Sequence, residues 1–514
     1  MNDNSVQPRD ERVQMFALFA LVTLVALLTV TPWPVGIFQD DAIYTILGKS
    51  LAEGTGFRLI NLPGSPHNTH YPPGYPLLLA AMWKLWPSFP DNLVLFKFAN
   101  AVFAGAAALG AYYFSRTRLE FGSAAAFAIA CVSTLTISVL LVTGVVMSEP
   151  MFIATLLPTL LLAERVGDSG RWREAFLAGL LLGAVTMVRT IGAVTIPAAV
   201  LVYCWRGHWR AAAAAVAGAA LLLLPWQVWV HLWQHEVPHV FQGKYGSYSA
   251  WLAEGYRAGG WPFLRAVVAK NLGSMAIFGY ITMPVAGLWP RLVTLIGFAA
   301  AAATGVAPLL RRASVTALFI AAYLAIVLVW PFETGRFLVA VWPAIVMLVA
   351  LGVREWWRWR PARLPLRAVR VAAFVLLAAM ATGFATYNYR GFTGRWWVSV
   401  QREVGTDGKV IAEWVAHNTA MSDMLVTEHD LIVYLYTGRQ AVPTSTFLPQ
   451  AHVEGMSTEQ HKAAMREILS LYHPRFVLVG GPAVPAAREL AADSIPALHF
   501  LGELSAAVVF EPAR

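Results

Sequence analysis

The sequence predicts an all-α polytopic membrane domain followed by a small α/β domain, and three observations carry that expectation. Of the 514 residues, 58% are hydrophobic and only 13% are charged, against roughly 25% charged in ordinary soluble domains. Apolar runs such as 15–30, 95–111 and 315–330 approach or reach the length that crosses ~30 Å of hydrocarbon. The basic residues gather in short loops between those runs, where the positive-inside rule places them.

Taken in order, apolar length marks candidate spans at 13–35, 94–114, 122–142, 148–164, 174–188, 190–204, 211–233, 287–309, 314–331, 336–353 and 370–388, about eleven in all. Arg9 and Arg12 place the N-terminus inside. The same side then receives Arg116 and Arg118; Arg165, Arg171 and Arg173; Arg206 and Arg210; Arg311 and Arg312; and Arg354, Arg358, Arg360, Arg363, Arg367 and Arg370. A further span at 262–286 would move Arg311 and Arg312 outside. Segment 261–283 is therefore expected to lie on, or dip into, the outer surface. Run 21–30 continues into Thr31-Pro32-Trp33-Pro34 with no small-residue cleavage site, so it reads as a span and not as a removed leader. Trp356-Trp357-Arg358-Trp359-Arg360 reads as an inner interfacial belt.

An odd number of spans leaves the C-terminus outside. Residues 390–514 carry more charge and no long apolar run. Helical patterns at 410–417, 430–436 and 459–471 alternate with strand patterns at 424–427 and 475–479, the last ending in Gly480-Gly481. That alternation predicts a small α/β domain on the outer, periplasmic face. The expected division is thus a membrane domain over 1–389, with a first outer loop at 38–93, and a soluble domain over 390–514. The net charge of +9 invites a nucleic-acid partner. The confinement of the basic residues to short loops between spans excludes it. Cys131 and Cys204 lie in apolar stretches without metal-type spacing and read as small buried hydrophobes.

This topology puts four polar features outside. The first is the loop 38–93, with Asp40 and Asp41 directly after the first span. A carboxylate pair at a membrane boundary is costly unless it is hydrated or used. The same loop carries Lys49, Arg58, His67 and His70-Tyr71-Pro72-Pro73-Gly74-Tyr75-Pro76, whose paired prolines stiffen the chain. The others are Met147-Ser148-Glu149-Pro150, Val188-Arg189-Thr190 and Pro331-Phe332-Glu333-Thr334-Gly335-Arg336-Phe337. A carboxylate can take a proton from an attacking hydroxyl, and arginine holds phosphate with a planar fork. Together they suit a substrate with a lipid tail and a phosphate head. Asp40, Asp41 and Glu149 are the catalytic candidates, and Arg336 and Arg189 are the phosphate-binding ones. His70, Tyr71, Lys49 and Arg58 are the candidates for other substrate contacts. Each has a structural alternative. Arg189 and Arg336 can snorkel at helix ends, Glu149 can serve the helix dipole, His70 can be structural and the Asp pair simply solvated. The chain has no phosphate loop, dinucleotide fingerprint or zinc spacing.

These motifs, in this order, resemble the GT-C superfamily of polytopic glycosyltransferases, nearest the branch of protein O-mannosyltransferases and the aminoarabinose transferase of lipid A. The resemblance rests on Asp40-Asp41-Ala42-Ile43-Tyr44, His70-Tyr71-Pro72-Pro73-Gly74-Tyr75-Pro76, Ser148-Glu149-Pro150, Arg189 and Gly335-Arg336-Phe337, over most of 13–353. The stretch from Glu413-Trp414 to Leu435-Tyr436-Thr437-Gly438-Arg439 is similar to outer domains of bacterial members. The resemblance implies a polyprenyl-phosphate sugar donor and a GT-C fold. It implies Asp40 as general base, Glu149 as a second acidic site and Arg336 beside the donor phosphate. Asp41 stands where the family commonly has Glu, which leaves the second acid's role open. Some members bind a divalent ion and others need none, so no metal is assigned.

The expected activity is therefore transfer of a sugar, with inversion, from a polyprenyl-phosphate donor to a hydroxyl of a lipid, glycan or protein acceptor. The expected place is the periplasmic face of a bacterial inner membrane. A lipid or glycan transporter or flippase would carry charges inside its spans, and here they cluster at one boundary. An O-antigen ligase or polymerase would centre on a large arginine-rich late loop. A non-catalytic scaffold leaves Asp40-Asp41 unexplained.

Overall fold

The computed structural model describes residues 8–246, 248–282, 287–330, 334–358, 366–445, 453–495 and 497–513. Among them six helices are long and apolar enough to cross a membrane: Leu93–Thr117, Glu149–Ser169, Trp209–Glu236, Leu292–Arg312, Gly335–Arg358 and Val371–Thr393. The pair Ser123–Thr134 and Ile137–Thr143, bent by 57° at its break, makes a seventh if taken as one span. The chain is a multi-pass membrane protein.

The other expected spans form shorter or more polar helices. Run 13–35 is helical only within Pro8–Leu27. Pro32 and Pro34 offer no amide donors and force extended backbone before them. Runs 174–188 and 314–331 give the 17-residue helix Trp172–Val188 and the 15-residue helix Ser314–Leu328; the latter is about 22 Å long, short of a straight crossing. Run 190–204 opens as a 3₁₀ turn, Thr190–Val194, before the helix Thr195–Trp205. Segment 261–283 falls in the helix Tyr248–Thr282, broken at Gly260 (φ 58°, ψ −148°), a conformation that glycine alone takes without strain. Met283, Pro331, Phe332 and Glu333, and Trp359 and Arg360 of the expected belt, lie outside the described residues.

The chain forms two compact units. The first gathers the described residues of Met1–Val30, Lys97–Pro225 and Val268–Trp397. Its helices meet through glycines. A Cβ at Gly352 would collide with the Ala301 carbonyl and one at Gly305 with that of Leu348. Gly179 and Gly218 allow the same backbone contact between the helices Trp172–Val188 and Trp209–Trp233. Close approach through small residues is how helices associate where lipid supplies no hydrophobic drive. At one end of this unit the basic loops converge. Asp168 takes both Arg118 and, at 2.5 Å, Arg206. Arg312 reaches Glu120 at 3.2 Å, and Arg354 donates to the Leu119 carbonyl at 2.7 Å. The loops that the charge pattern assigned to one face thus share one end of the unit.

The second unit gathers Thr31–Phe96, Trp226–Val267 and the described residues of Val398–Arg514. Its strands are β1 Leu425–Thr427, β2 Ala441–Val442, β3 Phe476–Val479, β4 Leu498–Glu503 and β5 Val508–Pro512, in the order β2-β1-β3-β5-β4. β2, β1 and β3 are parallel, and β5 runs antiparallel between β3 and β4. Parallel neighbours need crossovers, which the helices Asp430–Thr437 and Thr458–Tyr472 supply. Ser457 and Gln460 close a capping box at the second of these. Ile411, Val415, Leu425, Val433, Leu478 and Val509 fill the core. Both expected strands and the three expected helices are present. The segment 38–93 packs onto this sheet. The Asn61 carbonyl accepts from Ala441 N at 3.3 Å, and the Leu62 carbonyl accepts from Gln440 Nε2 at 3.0 Å. The edge strand β2 is thereby covered. Ile432 presses on Gly36, and Trp33 and Pro34 press on Gly405.

Candidate active site

In the second unit the helix Asp40–Ala52 begins at the acid pair. Successive helical residues point about 100° apart, so the two carboxylates cannot share a direction. Asp41 turns inward and is fully buried. Its Oδ2 accepts from Gly36 N at 2.8 Å and Ile37 N at 3.1 Å, and its Oδ1 accepts from Phe38 N at 3.0 Å. Burial pushes its carboxyl up from the ordinary value, against the pull of those three N–H groups. Asp40 is only half-buried, and its Oδ1 accepts from Tyr71 Oη at 2.8 Å.

Tyr71 is held in turn. Its ring meets Tyr44 edge-on at 5.3 Å, and Tyr44 meets Tyr75 at 5.2 Å. Asn68 Nδ2 donates to the Tyr71 carbonyl at 2.7 Å, and the Asn68 carbonyl accepts from Trp229 Nε1 at 3.0 Å. His67 stacks on Trp233 at 3.9 Å, with Nδ1 2.7 Å from Glu236 Oε2. His70 Nδ1 lies 2.5 Å from the Gly246 carbonyl. That contact requires the proton on Nδ1 and leaves Nε2 as an acceptor. Burial pushes His70 below its ordinary value, outweighing the Gly246 carbonyl and the Asp40 charge. A histidine kept neutral by burial contributes stability that is present above its unfolded value of 6.5 and lost as pH falls below it. The melting temperature of the detergent-solubilised protein should therefore drop between pH 7 and 5.5, and His70→Gln should flatten that slope. Equal slopes would remove His70 from the account.

In the first unit Glu149 opens the helix Glu149–Ser169 and is buried. Arg189 sits in the extended break after the helix Trp172–Val188. Its Nη1 is 2.8 Å from Glu149 Oε1 and donates to Ser148 Oγ at 3.0 Å. Arg336, second residue of the helix Gly335–Arg358, brings Nε to 3.5 Å from the same Glu149 oxygen. The Phe337 ring lies 5.6 Å from the Arg189 guanidinium and 5.5 Å from that of Arg336. Tyr323 Oη donates to the Phe337 carbonyl at 2.8 Å. Two guanidiniums thus gather on one buried carboxylate, an arrangement suited to an anion.

The structure therefore brings Asp40, Tyr71 and His70 together in one unit, and Glu149, Arg189 and Arg336 in the other. Lys49 lies in the last turn of its helix, about 13 Å from Asp40 along the axis, 4.0 Å from Glu53 and over the Tyr434 ring. Arg58 donates to the Ser65 carbonyl at 3.0 Å. Gln39, Asn68, Trp229, Ser148 and Tyr323 escaped the sequence reading. Of these, Gln39, directly before the acid pair, and Ser148, directly before Glu149, stood inside sequence motifs. Among the described residues no three His, Cys, Asp or Glu side chains gather as metal ligands would.

The arrangement of helices with a small C-terminal sheet is a fold shared with two solved structures of one protein. The crystal structure of ArnT from Cupriavidus metallidurans bound to undecaprenyl phosphate is similar over 96% of this chain and 97% of its own, with 14% identity and a TM-score of 0.59. The apo structure of the same ArnT covers 97% of this chain and 98% of its own, with 14% identity and a TM-score of 0.57. At that identity the likeness is one of fold. No protein-family profile matches the sequence, and no curated protein does.

Proposed function

We propose that this protein is an integral membrane glycosyltransferase of the bacterial inner membrane. It moves a sugar from a polyprenyl-phosphate donor to an acceptor hydroxyl on the periplasmic face, with inversion. The observation that carries this reading is the likeness, along nearly the whole chain, to a structure bound to undecaprenyl phosphate.

The two clusters supply the chemistry. Asp40, oriented by the Tyr71 hydroxyl, takes the proton of the acceptor hydroxyl. The acceptor oxygen attacks the anomeric carbon from the face opposite the phosphate, so the new bond forms as the carbon–oxygen bond to phosphate breaks. The configuration inverts in this single displacement. The departing phosphate carries the electron pair, and Arg336 and Arg189 stabilise its charge. Glu149, ion-paired to both, holds their guanidiniums in place. The proton on Asp40 is lost to water. Lys49 and Arg58, farther along the same segment, are the proposed contacts to other parts of the substrate.

The test is transfer from a panel of radiolabelled undecaprenyl-phosphate sugars to envelope fractions. Transfer from one of them establishes the class and names the sugar. Absence of transfer from every donor, with lipid movement across vesicles instead, would replace this reading by a transporter.

A further inference from the structure

The residue before the acid pair has a backbone that its side chain does not explain. Gln39 has φ 62° and ψ −50°, and Asp40 N donates to the Phe38 carbonyl at 2.7 Å. This is the γ-turn of positive φ, the rare and strained form. Strain of this kind persists only where the surroundings over-determine it, and it collects at functional sites.

Asp41 supplies the constraint. Three consecutive N–H groups, of Gly36, Ile37 and Phe38, converge on its carboxylate, as they would on a bound anion. The chain is thereby folded back so that Phe38 O faces Asp40 N. The Gln39 carbonyl then accepts from Ile43 N at 3.0 Å, which starts the helix. Thr45 Oγ1 donates to the Asp41 carbonyl at 2.7 Å and fixes Asp41 from the other side. Asp41 is fully buried, with its carboxylate given over to these backbone partners.

We infer that Asp41 is a positioning residue, whose carboxylate clamps the strained turn at Gln39 and so aims Asp40 at its target. This rests on the reading of Asp40 as the base. It divides the acid pair into one group that reacts and one that holds. A displacement of about 1 Å at a reacting group costs about 10²-fold in rate. In Asp41→Asn the amide offers a donor to at least one of the three N–H groups. The turn then relaxes toward ordinary φ.

The full-length protein would be assayed with a radiolabelled undecaprenyl-phosphate sugar that the wild type turns over, separating kcat from donor KM. Asp41→Asn should lower kcat about 10- to 100-fold and leave donor KM unchanged. Adding Gln39→Gly should recover much of that loss, because glycine takes positive φ without strain and needs no clamp. A purely structural role for Asp41 predicts no such recovery. If Asp41→Asn does not fold, Asp41→Glu, which keeps the charge but displaces it by one methylene, should show the same kcat loss and the same recovery. Wild-type kcat in Asp41→Asn, or a loss that Gln39→Gly leaves untouched, would overturn the clamp. Asp40→Asn in the same assay separates the two ideas. If it is inactive while Asp41→Asn is normal, only the clamp fails. If it is fully active, the base assignment fails and the clamp's purpose with it.

Discussion

Replacing Asp40 by Asn should lower the transfer rate by about 10²–10⁴, the usual contribution of a general base. The shape of the side chain is kept, and an amide oxygen can still accept from Tyr71 Oη, which is 2.8 Å away. What is lost is the capacity to accept a proton from the acceptor. The loss should fall on kcat, with donor KM little changed, because the interaction develops only as the hydroxyl attacks. Single-turnover transfer from the active donor checks this, and a retained wild-type rate in Asp40→Asn would sink the assignment.

The second large effect is expected at the arginines. Arg336→Ala or Arg189→Ala should each cost about 10²–10³ in rate, since in the proposed mechanism each removes a charged donor that stabilises the departing phosphate. Binding of undecaprenyl phosphate should weaken as well. Lysine should restore only part of the loss. It keeps the charge but not the planar fork, nor the broad cation that lies 5.5 Å from the Phe337 ring in the case of Arg336. Truncation also leaves Glu149 with one fewer counter-ion, and breaking a buried pair costs about 3–5 kcal/mol. A melting curve must therefore accompany the kinetics. Rate and lipid binding both within threefold of wild type in a folded Arg336→Ala protein would remove Arg336 from the phosphate site.

The sequence made the membrane class visible because long apolar runs and one-sided arginines are local signals that tertiary contacts cannot reverse. It overstated the length of several spans for the same reason. A run of apolar residues says nothing about a break such as the one inside run 122–142, where the helices Ser123–Thr134 and Ile137–Thr143 meet at a 57° bend. The acid pair was legible as a pair, but not the different settings of its members, Asp41 buried and Asp40 half-buried. Nor was the positive φ at Gln39, a residue with no composition signal for one. Arg189 and Arg336 stood out as charges at apolar boundaries. Their meeting on Glu149 joins segments roughly 40 and 190 residues apart, which no local pattern encodes. Lys49 shares a loop with Asp40 in the sequence, and the helix Asp40–Ala52 sets the two about 13 Å apart along its axis.

The packing of segment 38–93 on the C-terminal sheet bears on the order in which the chain is made. The first stretch of that compact unit ends at Phe96 and its last begins at Val398, about 300 residues later. At about 5–20 residues per second, the segment carrying Asp40 is made some 15–70 s before Gly405, Ile432 and Gln440 exist to receive it. During that interval Asn61, Leu62 and Gly36 lack their final neighbours. Maturation of the acid cluster is thus tied to completion of the polypeptide. A chain arrested before residue 398 would lack the surface on which the segment carrying Asp40 packs.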